Sequence, residues 1–247
     1  MAFTRVQGAT NFAGGSQTTA TTTFGAGVTP GNTVIGAVHF GDNNTTITSI
    51  TDNKGNSYSF TATSGASPGT YTDNVKEGSG SFAVTATFIL GNIPAGGPTV
   101  ITAALSPNGG NVCMIADEFS GCFASSTPSD GTTASHTGQV LVPGTGANAL
   151  TSGNITTTGN GDLIWSCTCE NEDAILSTAG TGFTGPFNDT GAGTNRLQSE
   201  WRTQAAAGTI AGTWTNGTGA SAAALVMAIK PAATGAAPIV SARLVMM

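Results

Sequence analysis

The chain has 247 residues, enough for one large or two small domains with a substantial core, and a formal net charge of −6 at pH 7. Its seven lysines and arginines are dispersed, which argues against nucleic-acid binding because a surface that follows phosphates needs clustered cations. No apolar run approaches the roughly 18 residues of a transmembrane helix, which argues against a membrane partner. The opening residues, MAFTRVQGATNFAGG, lack the apolar core of a secretory signal, so we expect synthesis in the cytoplasm without export by that route.

The composition predicts an all-β fold. Charged residues make up 8% of the chain, against roughly 25% in ordinary globular domains, so solubility must come from threonine, serine, asparagine and exposed backbone. Long helices are disfavoured by 36 glycines and 10 prolines, since both residue types penalise helix interiors. Threonine prefers the half-buried pleated surface of a strand.

Strand-like runs alternate with glycine, asparagine and proline along the chain. We predict strands at Thr33–Phe40, Thr46–Thr51, Ser57–Thr63, Phe82–Leu90, Thr99–Leu105, Asn111–Phe119, Asp162–Cys169, Leu197–Gln204, Thr209–Thr215 and Ala222–Ile229. Between the second and third lies DNKGN, in which Gly55 supplies the positive φ of a tight hairpin with a bulge. The polar stretches Ser64–Gly80 and Ser125–Gly161 are predicted to be loops with short edge strands.

The sequence also carries a faint internal echo. GNTVIGAVHF near residue 31 resembles GNGDLIWSCT near residue 159, and VCMIADEF at 112 resembles AALVMAIK at 223. Two similar sets of antiparallel strands predict a double-sheet β-sandwich of the jelly-roll type.

The stretch LIWSCTCENED places two cysteines two residues apart, which raises the alternatives of a metal site, a redox pair and ordinary packing. On a strand, Leu163, Trp165, Cys167 and Cys169 share one apolar face, which favours packing. Parallel side chains about 6.5 Å apart cannot form a disulfide. The spacing of these cysteines, and that of the other two, Cys113 and Cys122, matches no zinc motif, so we expect no metal and no cofactor.

The adjacent acids Asp117 and Glu118 point to opposite faces of their predicted strand, so they cannot converge on a substrate as glycosidase carboxylates do. A solvated glutamate beside a turn-capping aspartate is the favoured interpretation. In SEWRT, Glu200 and Arg202 share a face and are predicted to form a cross-strand or surface pair, with Trp201 in the core. A sugar-binding platform at Trp201 is the alternative.

The two histidines, His39 and His136, are predicted to be a hydrogen-bonded structural residue and an exposed one. No GxSxG elbow accompanies them, although a triad assembled from distant residues stays open. An oxygen-rich Ca²⁺ site is a further possibility, without an EF-hand loop to support it. Its candidate ligands are Glu170, Glu172, Asp173, Asp42 and Asp189. Sequons such as those at Asn43 and Asn216 are expected by chance in a chain so rich in asparagine and threonine.

The tail GAAPIVSARLVMM differs from the rest of the chain because it ends in a long apolar segment. Exposed, such a segment would be an aggregation risk, so we predict that it mediates assembly or folds back as a last strand. The residues predicted to carry assembly are Ile239, Val240, Leu244, Val245, Met246 and Met247. We therefore divide the chain into an N-terminal arm (1–14), a β-sandwich domain (15–232) and a C-terminal extension (233–247).

A family resemblance rests on five stretches in order: TVIGAVHFGDNNTTITSITDNKGNSYSF, MIADEFSG, GDLIWSC, SEWRTQAAAGTIAGTWT and AALVMAIKPA. Together they resemble a Gly/Thr-rich β-sandwich domain that recurs in bacterial surface proteins and in tailed-phage virion proteins. The resemblance covers residues 15–232 and implies a jelly-roll sandwich with a binding or scaffolding role. The usual counterpart of Cys122 in such domains is aliphatic, which implies a packing role for that residue.

These observations lead us to expect a non-enzymatic virion structural protein, such as a phage head-decoration, fibre or collar component. The expected partners are further copies of the chain and other virion proteins, such as the major capsid protein, in a virion assembled in the host cytoplasm. The alternative is an extracellular adhesin or carbohydrate-binding module that recognises a cell-surface glycan. An enzyme such as a polysaccharide hydrolase or lyase has the least support, because no nucleophile and base lie at a recognisable spacing.

Overall fold

The computed structural model describes residues 2–41, 45–60, 71–73, 83–130, 148–170, 177–188, 196–216 and 222–233. Within these residues the fold is all-β, and every paired strand is antiparallel. The strands are β1 (Thr4–Ala13), β2 (Thr19–Thr23), β3 (Thr33–Phe40), β4 (Thr46–Asp52), β5 (Ser59–Phe60), β6 (Tyr71–Asp73), β7 (Ala83–Leu90), β8 (Val100–Ser106), β9 (Val112–Ser120), β10 (Asn148–Thr151), β11 (Ile155–Thr156), β12 (Asp162–Glu170), β13 (Thr178–Ala179), β14 (Thr184–Asn188), β15 (Arg196–Gln204), β16 (Thr209–Ile210), β17 (Thr213–Asn216) and β18 (Ala222–Ile229).

The predicted all-β fold is confirmed, and most predicted strands are confirmed to within one residue at each end. The predicted strand at Thr209–Thr215 is instead two short strands in different sheets. The extended strand is interrupted at Gly212, which lies against β12. A methyl group added at Gly212 would lie 2.1 Å from Ser166 Oγ. Residues 4–13, within the segment assigned to an N-terminal arm, form β1 at the edge of a sheet.

The strands form four layers. The first outer sheet is β2-β8-β4, and the first inner sheet is β1-β9-β3-β7, with β5 and β6 both paired to β7. The second inner sheet is β14-β15-β12-β18, and the second outer sheet is β10-β17-β13, with the small β11-β16 ladder beside it. Apolar side chains fill the space between each layer and the next, and the middle space holds the side chains of both inner sheets.

The two halves of the chain share one strand arrangement. In the first half β3 lies between β7 and β9, and in the second half β12 lies between β15 and β18. In the outer sheets β8 lies between β2 and β4, and β17 lies between β10 and β13. The internal echo seen in the sequence is therefore confirmed, because its first pair of stretches covers β3 and β12 and its second pair covers β9 and β18.

The jelly-roll connectivity is not confirmed. In the first half the central pairs are β3–β7 in the inner sheet and β4–β8 in the outer sheet. In the second half they are β12–β15 and β13–β17. Strands from the two sheets thus alternate along the chain as strands B, C, E and F do in an immunoglobulin-type sandwich.

The central strands are covered on both faces, which explains their composition. Every residue of β3 is buried, and so are the first eight of β9. Strands buried on both faces have near-continuous apolar runs instead of an alternating pattern. The apolar stripe predicted for β12 is confirmed, since Leu163, Trp165, Cys167 and Cys169 all face the first inner sheet.

The predicted hairpin at DNKGN is confirmed, and Asp52 organises it. Its Oδ1 accepts hydrogen bonds from the backbone N–H groups of Lys54 (2.9 Å) and Asn56 (3.1 Å), and Gly55 has φ of +84°. A short side chain that binds backbone donors two and four residues later stabilises a tight turn. The chain then leaves the outer sheet, since β5 pairs with β7 of the inner sheet.

Gly36→Ala is expected to lower the free energy of unfolding by about 3 kcal/mol, the upper end of the range for overpacked cores. The added methyl group would lie 2.2 Å from both the carbonyl oxygen of Ile115 and the ring of Phe88. Urea denaturation followed by circular dichroism measures the change. Gly25→Ala is the matched control, because no described atom lies within 4 Å of its methyl group, and it should stay within about 1 kcal/mol of the wild type. Equal stability of the two variants would contradict this packing.

Candidate functional site

The four cysteines are buried in the space between the inner sheets, where they pack with apolar side chains. Cys167 and Cys169 lie on β12 and Cys113 lies on β9. Burial raises the pKa of Cys167 well above its usual value and that of Cys122 to about 11, so both thiols stay protonated at neutral pH. This placement agrees with the packing interpretation.

His39 is buried in the same space and is the hydrogen-bonded structural residue that the sequence predicts. Its Nδ1 lies 2.8 Å from Thr85 Oγ1, and the same hydroxyl donates to the sulfur of Cys169 at 2.9 Å. Because that hydroxyl proton is used on the sulfur, Nδ1 is the donor to Thr85. Burial lowers the pKa of His39 to about 4, so the ring is neutral at physiological pH.

The carboxylate of Asp117 is the centre of a polar cluster between the two inner sheets. Asp117 is 2% exposed, and its Oδ1 accepts hydrogen bonds from the guanidinium of Arg5 at 2.7 Å. Its Oδ2 accepts from Trp165 Nε1 and from Ser199 Oγ, each at 2.8 Å. A buried charge needs this number of donors to offset its lost hydration. Because Trp165 and Ser199 belong to the second half, Asp117 joins the two halves of the fold.

Arg5 extends from β1 to this cluster, packed against Phe187 and over Gly8. Its guanidinium lies 3.5 Å from the ring centroid of Phe187 on β14, a cation–π contact that also spans the two inner sheets. A methyl group added at Gly8 would lie 1.8 Å from Arg5 Nη2, so the absence of a side chain there leaves room for the arginine. The role of Arg5 could not be predicted, because the residue lies in a polar segment without a strand pattern.

Glu118 points to the opposite side of the first inner sheet and is also fully buried. Its Oε2 accepts from Gln7 Nε2 at 2.6 Å, and its Oε1 accepts from Asn32 Nδ2 at 2.6 Å and from the backbone N–H of Thr29 at 2.9 Å. The prediction that Glu118 is solvated and Asp117 a turn cap is therefore wrong. β9 is covered by a sheet on each face, so both acids are enclosed whichever way they point.

On β15, Trp201 is half-buried and packs edge-on against Phe119 at 5.5 Å between centroids, so it lies at the border of the core and is only partly enclosed, short of the predicted core position. Of the two alternatives predicted for Glu200 and Arg202, a cross-strand pair or a surface pair, the surface pair is wrong, because Glu200 is fully buried against the second outer sheet. The charge of Arg202 still acts on the Glu200 carboxyl group and lowers its pKa in part. Glu200 Oε2 accepts the backbone N–H of Gly180 at 2.8 Å. Arg202 lies 5.5 Å from the ring centroid of Phe183.

Glu200 acts with Gln198, two residues before it, to hold β13 in place. The side chain of Gln198 accepts from the backbone N–H of Ser177 (2.9 Å) and donates to its carbonyl (3.2 Å), so these two residues fix both ends of β13. Burial raises the pKa of Glu200 to about 7, and the hydrogen bonds from Gly180, Thr213 and Ser166 offset part of that rise.

Asp130 and Asp162 form a buried carboxyl pair that was not predicted from the sequence. Asp130 Oδ2 accepts the backbone N–H groups of Thr158 (2.6 Å) and Gly159 (3.0 Å), and Oδ1 accepts the Thr158 hydroxyl (2.5 Å). Burial raises the pKa of Asp130, but these hydrogen bonds and one from Asp162 outweigh that effect and hold the pKa well below its usual range. One signal was readable: Asp162 immediately precedes the apolar run of a strand buried on both faces.

Several predicted residues lie outside the described part of the chain: His136, Asn43, the calcium candidates Asp42, Glu172, Asp173 and Asp189, and the assembly residues Ile239, Val240, Leu244, Val245, Met246 and Met247. Glu170 and Asn216 lie at strand ends. Among the described residues, no group of three or more His, Cys, Asp or Glu side chains is placed to hold a metal ion. The same residues include no helix long and apolar enough to cross a bilayer.

Comparison with protein-family models, with curated proteins and with solved structures found no match for this chain. Function must therefore be inferred from the geometry of the chain itself. Three acids that the sequence singles out, Asp117, Glu118 and Glu200, are enclosed between sheets and bound to hydrogen-bond donors of neighbouring segments.

Asp117→Asn is expected to lower the free energy of unfolding by about 3 kcal/mol, because it leaves Arg5 without its anion and turns an amide donor toward other donors. Urea denaturation at neutral pH measures the change. Asp162→Asn is the control. It changes a different buried aspartate, whose oxygens, unlike those of Asp117, receive no N–H donor from the described residues, so this substitution should not destabilise the protein. Stability of Asp117→Asn within about 1 kcal/mol of the wild type would show that the cluster does not hold the halves together.

Glu200→Gln is expected to remove part of the pH dependence of stability. The pKa of Glu200 is raised in the folded state to about 7 from 4.5, so its stabilising protonation is complete below pH 4.5 and lost as the pH rises through 7. Above pH 8 the glutamine variant should be more stable than the wild type, by at most about 3 kcal/mol for a shift of this size. Urea denaturation between pH 5 and pH 9 measures the difference, and parallel profiles for the two proteins would contradict the assignment.

Proposed function

We propose that this chain is a non-enzymatic structural protein of a virion, of the head-decoration, fibre or collar kind. The observation that supports this proposal is the burial of three acids of the protein. Asp117, Glu118 and Glu200 are each at most 2% exposed, and each holds strands together through hydrogen bonds. Side chains used in this way support a rigid scaffold and are out of reach of a substrate.

The outward faces of the outer sheets support a role in contact rather than in catalysis. The outward residues of β2, β4 and β8 include Thr19, Thr21, Thr23, Thr46, Thr48 and Thr102. In the second outer sheet, Thr178, Thr213 and Thr215 are exposed in the same way. These strands, as the structure describes them, carry no charged side chain on their outward faces, so they suit short-range contact with other uncharged protein surfaces.

The proposed partners are further copies of the chain and other virion proteins such as the major capsid protein, with assembly in the host cytoplasm. The C-terminal segment Ile239–Met247 is the proposed attachment element. Burying one exposed leucine, isoleucine or methionine is worth roughly 1.5–3 kcal/mol, so a few of them would stabilise an interface. Addition of the segment as a strand to a neighbouring sheet would also satisfy its backbone groups.

The proposal predicts that the protein co-purifies with virus particles in a fixed ratio to the capsid subunit. Quantitative mass spectrometry of gradient-purified particles from cultures that carry the gene measures this ratio. Absence from particles, together with enrichment on the cell surface, would reject the proposal in favour of the adhesin alternative.

A truncated chain ending at Ala233 tests the attachment element in the same assay. It retains the backbone hydrogen bond from Ala232 to the carbonyl of Gly121 (2.7 Å), so the described sheets keep their contacts. The expected result is an unchanged melting temperature with loss of self-association and of particle attachment. A full-length chain with Leu244→Ser and Val245→Ser serves as the matched variant, because it keeps the length and removes the apolar surface. Normal assembly of both variants, or unfolding of the truncated monomer, would refute the role of the tail.

A further inference from the structure

The residues that follow β9, 121–130, are fastened to the end of β18. The backbone N–H of Lys230 donates to the carbonyl of Pro128, and that of Asp130 donates to the carbonyl of Ala228, both at 2.8 Å. This connector leaves the last strand of the first half and pairs with the last strand of the second half. Its final described residue, Asp130, is the one whose side chain reaches the loop before β12.

The carboxyl group of Asp162, the first residue of β12, lies beside that of Asp130. Asp162 is fully buried, and neither of its oxygens receives an N–H or O–H donor from the described residues. A methyl group added at Gly159 would lie 3.4 Å from Asp162 Oδ1 and 3.9 Å from Asp130 Oδ2, so the two carboxyl groups face the same point. Two buried carboxyl groups in contact repel each other when both are ionised, so the pair favours holding one proton.

One proton therefore belongs to the pair, and its position follows from the donors. Asp130 already accepts hydrogen bonds from Thr158 and Gly159 and lies 3.5 Å from Lys230 Nζ, so it is the ionised member. Asp162 holds the proton and donates it to Asp130. This hydrogen bond joins the connector to β12, in addition to the backbone bonds that join it to β18.

The charged groups around the pair allow Asp162 to change its protonation state near neutral pH. The charged side chains that act on Asp162 are Asp130 and Lys230, and its partner across the sheet on β15, Gln204, is neutral. Lys230 is half exposed, so solvent weakens its attraction. Burial, together with the hydrogen bond and the charge of Asp130, raises the pKa of Asp162 to about 7, and Lys230 lowers it only in part.

We propose that Asp130 and Asp162 form a proton-dependent clasp, which holds the connector between the two halves against β12 and opens when the shared proton is lost. Asp162 has a raised pKa in the folded state, so its contribution is complete below its unfolded pKa near 3.8 and is lost as the pH rises through 7. Ionised Asp162 then faces ionised Asp130 across a buried contact, and among the described side chains Lys230 alone offsets the repulsion. The clasp is closed in mildly acidic solution and open in mildly alkaline solution, whatever particle or surface the protein occupies.

Amide hydrogen exchange between pH 5 and pH 9 tests the clasp in the full chain. The amides of Asp130, Thr158 and Gly159 report on it directly, since two of them donate to the Asp130 carboxylate. After correction for intrinsic exchange rates, their protection in the wild type should fall about tenfold or more as the pH passes 7, which corresponds to about 1.4 kcal/mol. In Asp162→Asn the protection should stay level, because the amide NH₂ group donates to Asp130 at every pH.

Glu200→Gln is the matched control, because it removes the other buried acid among the described residues whose pKa is raised to about 7 and leaves the clasp intact. The same three amides in this variant should follow the wild type. Level protection in the wild type, or the same fall in Asp162→Asn, would overturn the proposal. Carbon-13 NMR of the wild-type side-chain carboxyl groups gives a second reading that does not depend on any variant. Titration of both Asp130 and Asp162 below about pH 5 would overturn the proposal as well.

Discussion

The carboxylate of Asp117, enclosed between the two inner sheets, is the constraint on which the arrangement of the two halves depends. Its donors come from both sides: Arg5 from β1 of its own sheet, and Trp165 and Ser199 from the facing sheet. Separating the halves would take the carboxylate acceptor away from an indole N–H and a hydroxyl of the second half. The penalty for an unpaired buried charge makes one packing of the two inner sheets far better than its alternatives. The same requirement fixes the register of β1, because only one register brings Arg5 to the cluster.

The shared strand arrangement of the two halves shows where they differ at this constraint. In the register of the inner sheets, Asp117 pairs with Ile35, and in the second half Ile229 pairs with Leu163. All four residues lie within the space between the inner sheets or line it. One half thus places a carboxylate where the other places an aliphatic side chain. Two identical halves would bring two carboxylates into the space between the inner sheets, so the difference at this position favours packing of the halves face to face.

Much of the fold could be predicted because the central strands are covered on both faces. Runs such as TVIGAVHF and LIWSCTC are continuous and apolar, and glycine or asparagine lies close to their ends. β1 was not recognised, since TRVQGATNFA is half exposed and pairs with one neighbour, so its sequence reads as polar.

The error on Asp117 and Glu118 has a related cause. Adjacent acids on a strand indicate solvent when one face is open, and the sequence does not reveal that a second sheet covers β9. The local sequence pattern predicts that a strand forms, but the number of sheets that pack against that strand is determined by residues far away in the sequence.

Among the described residues the buried side chains include several acids, the reverse of an ordinary soluble domain. The buried acids hold strands together, whereas the outer sheets present threonine and backbone. The outward faces of the outer sheets, as far as the structure describes them, carry no charged side chain, so association through them depends on shape and on contacts at hydrogen-bond range. Such contacts form slowly and change little with salt. A scaffold whose rigidity comes from buried hydrogen bonds is well adapted to keep such a surface in one shape.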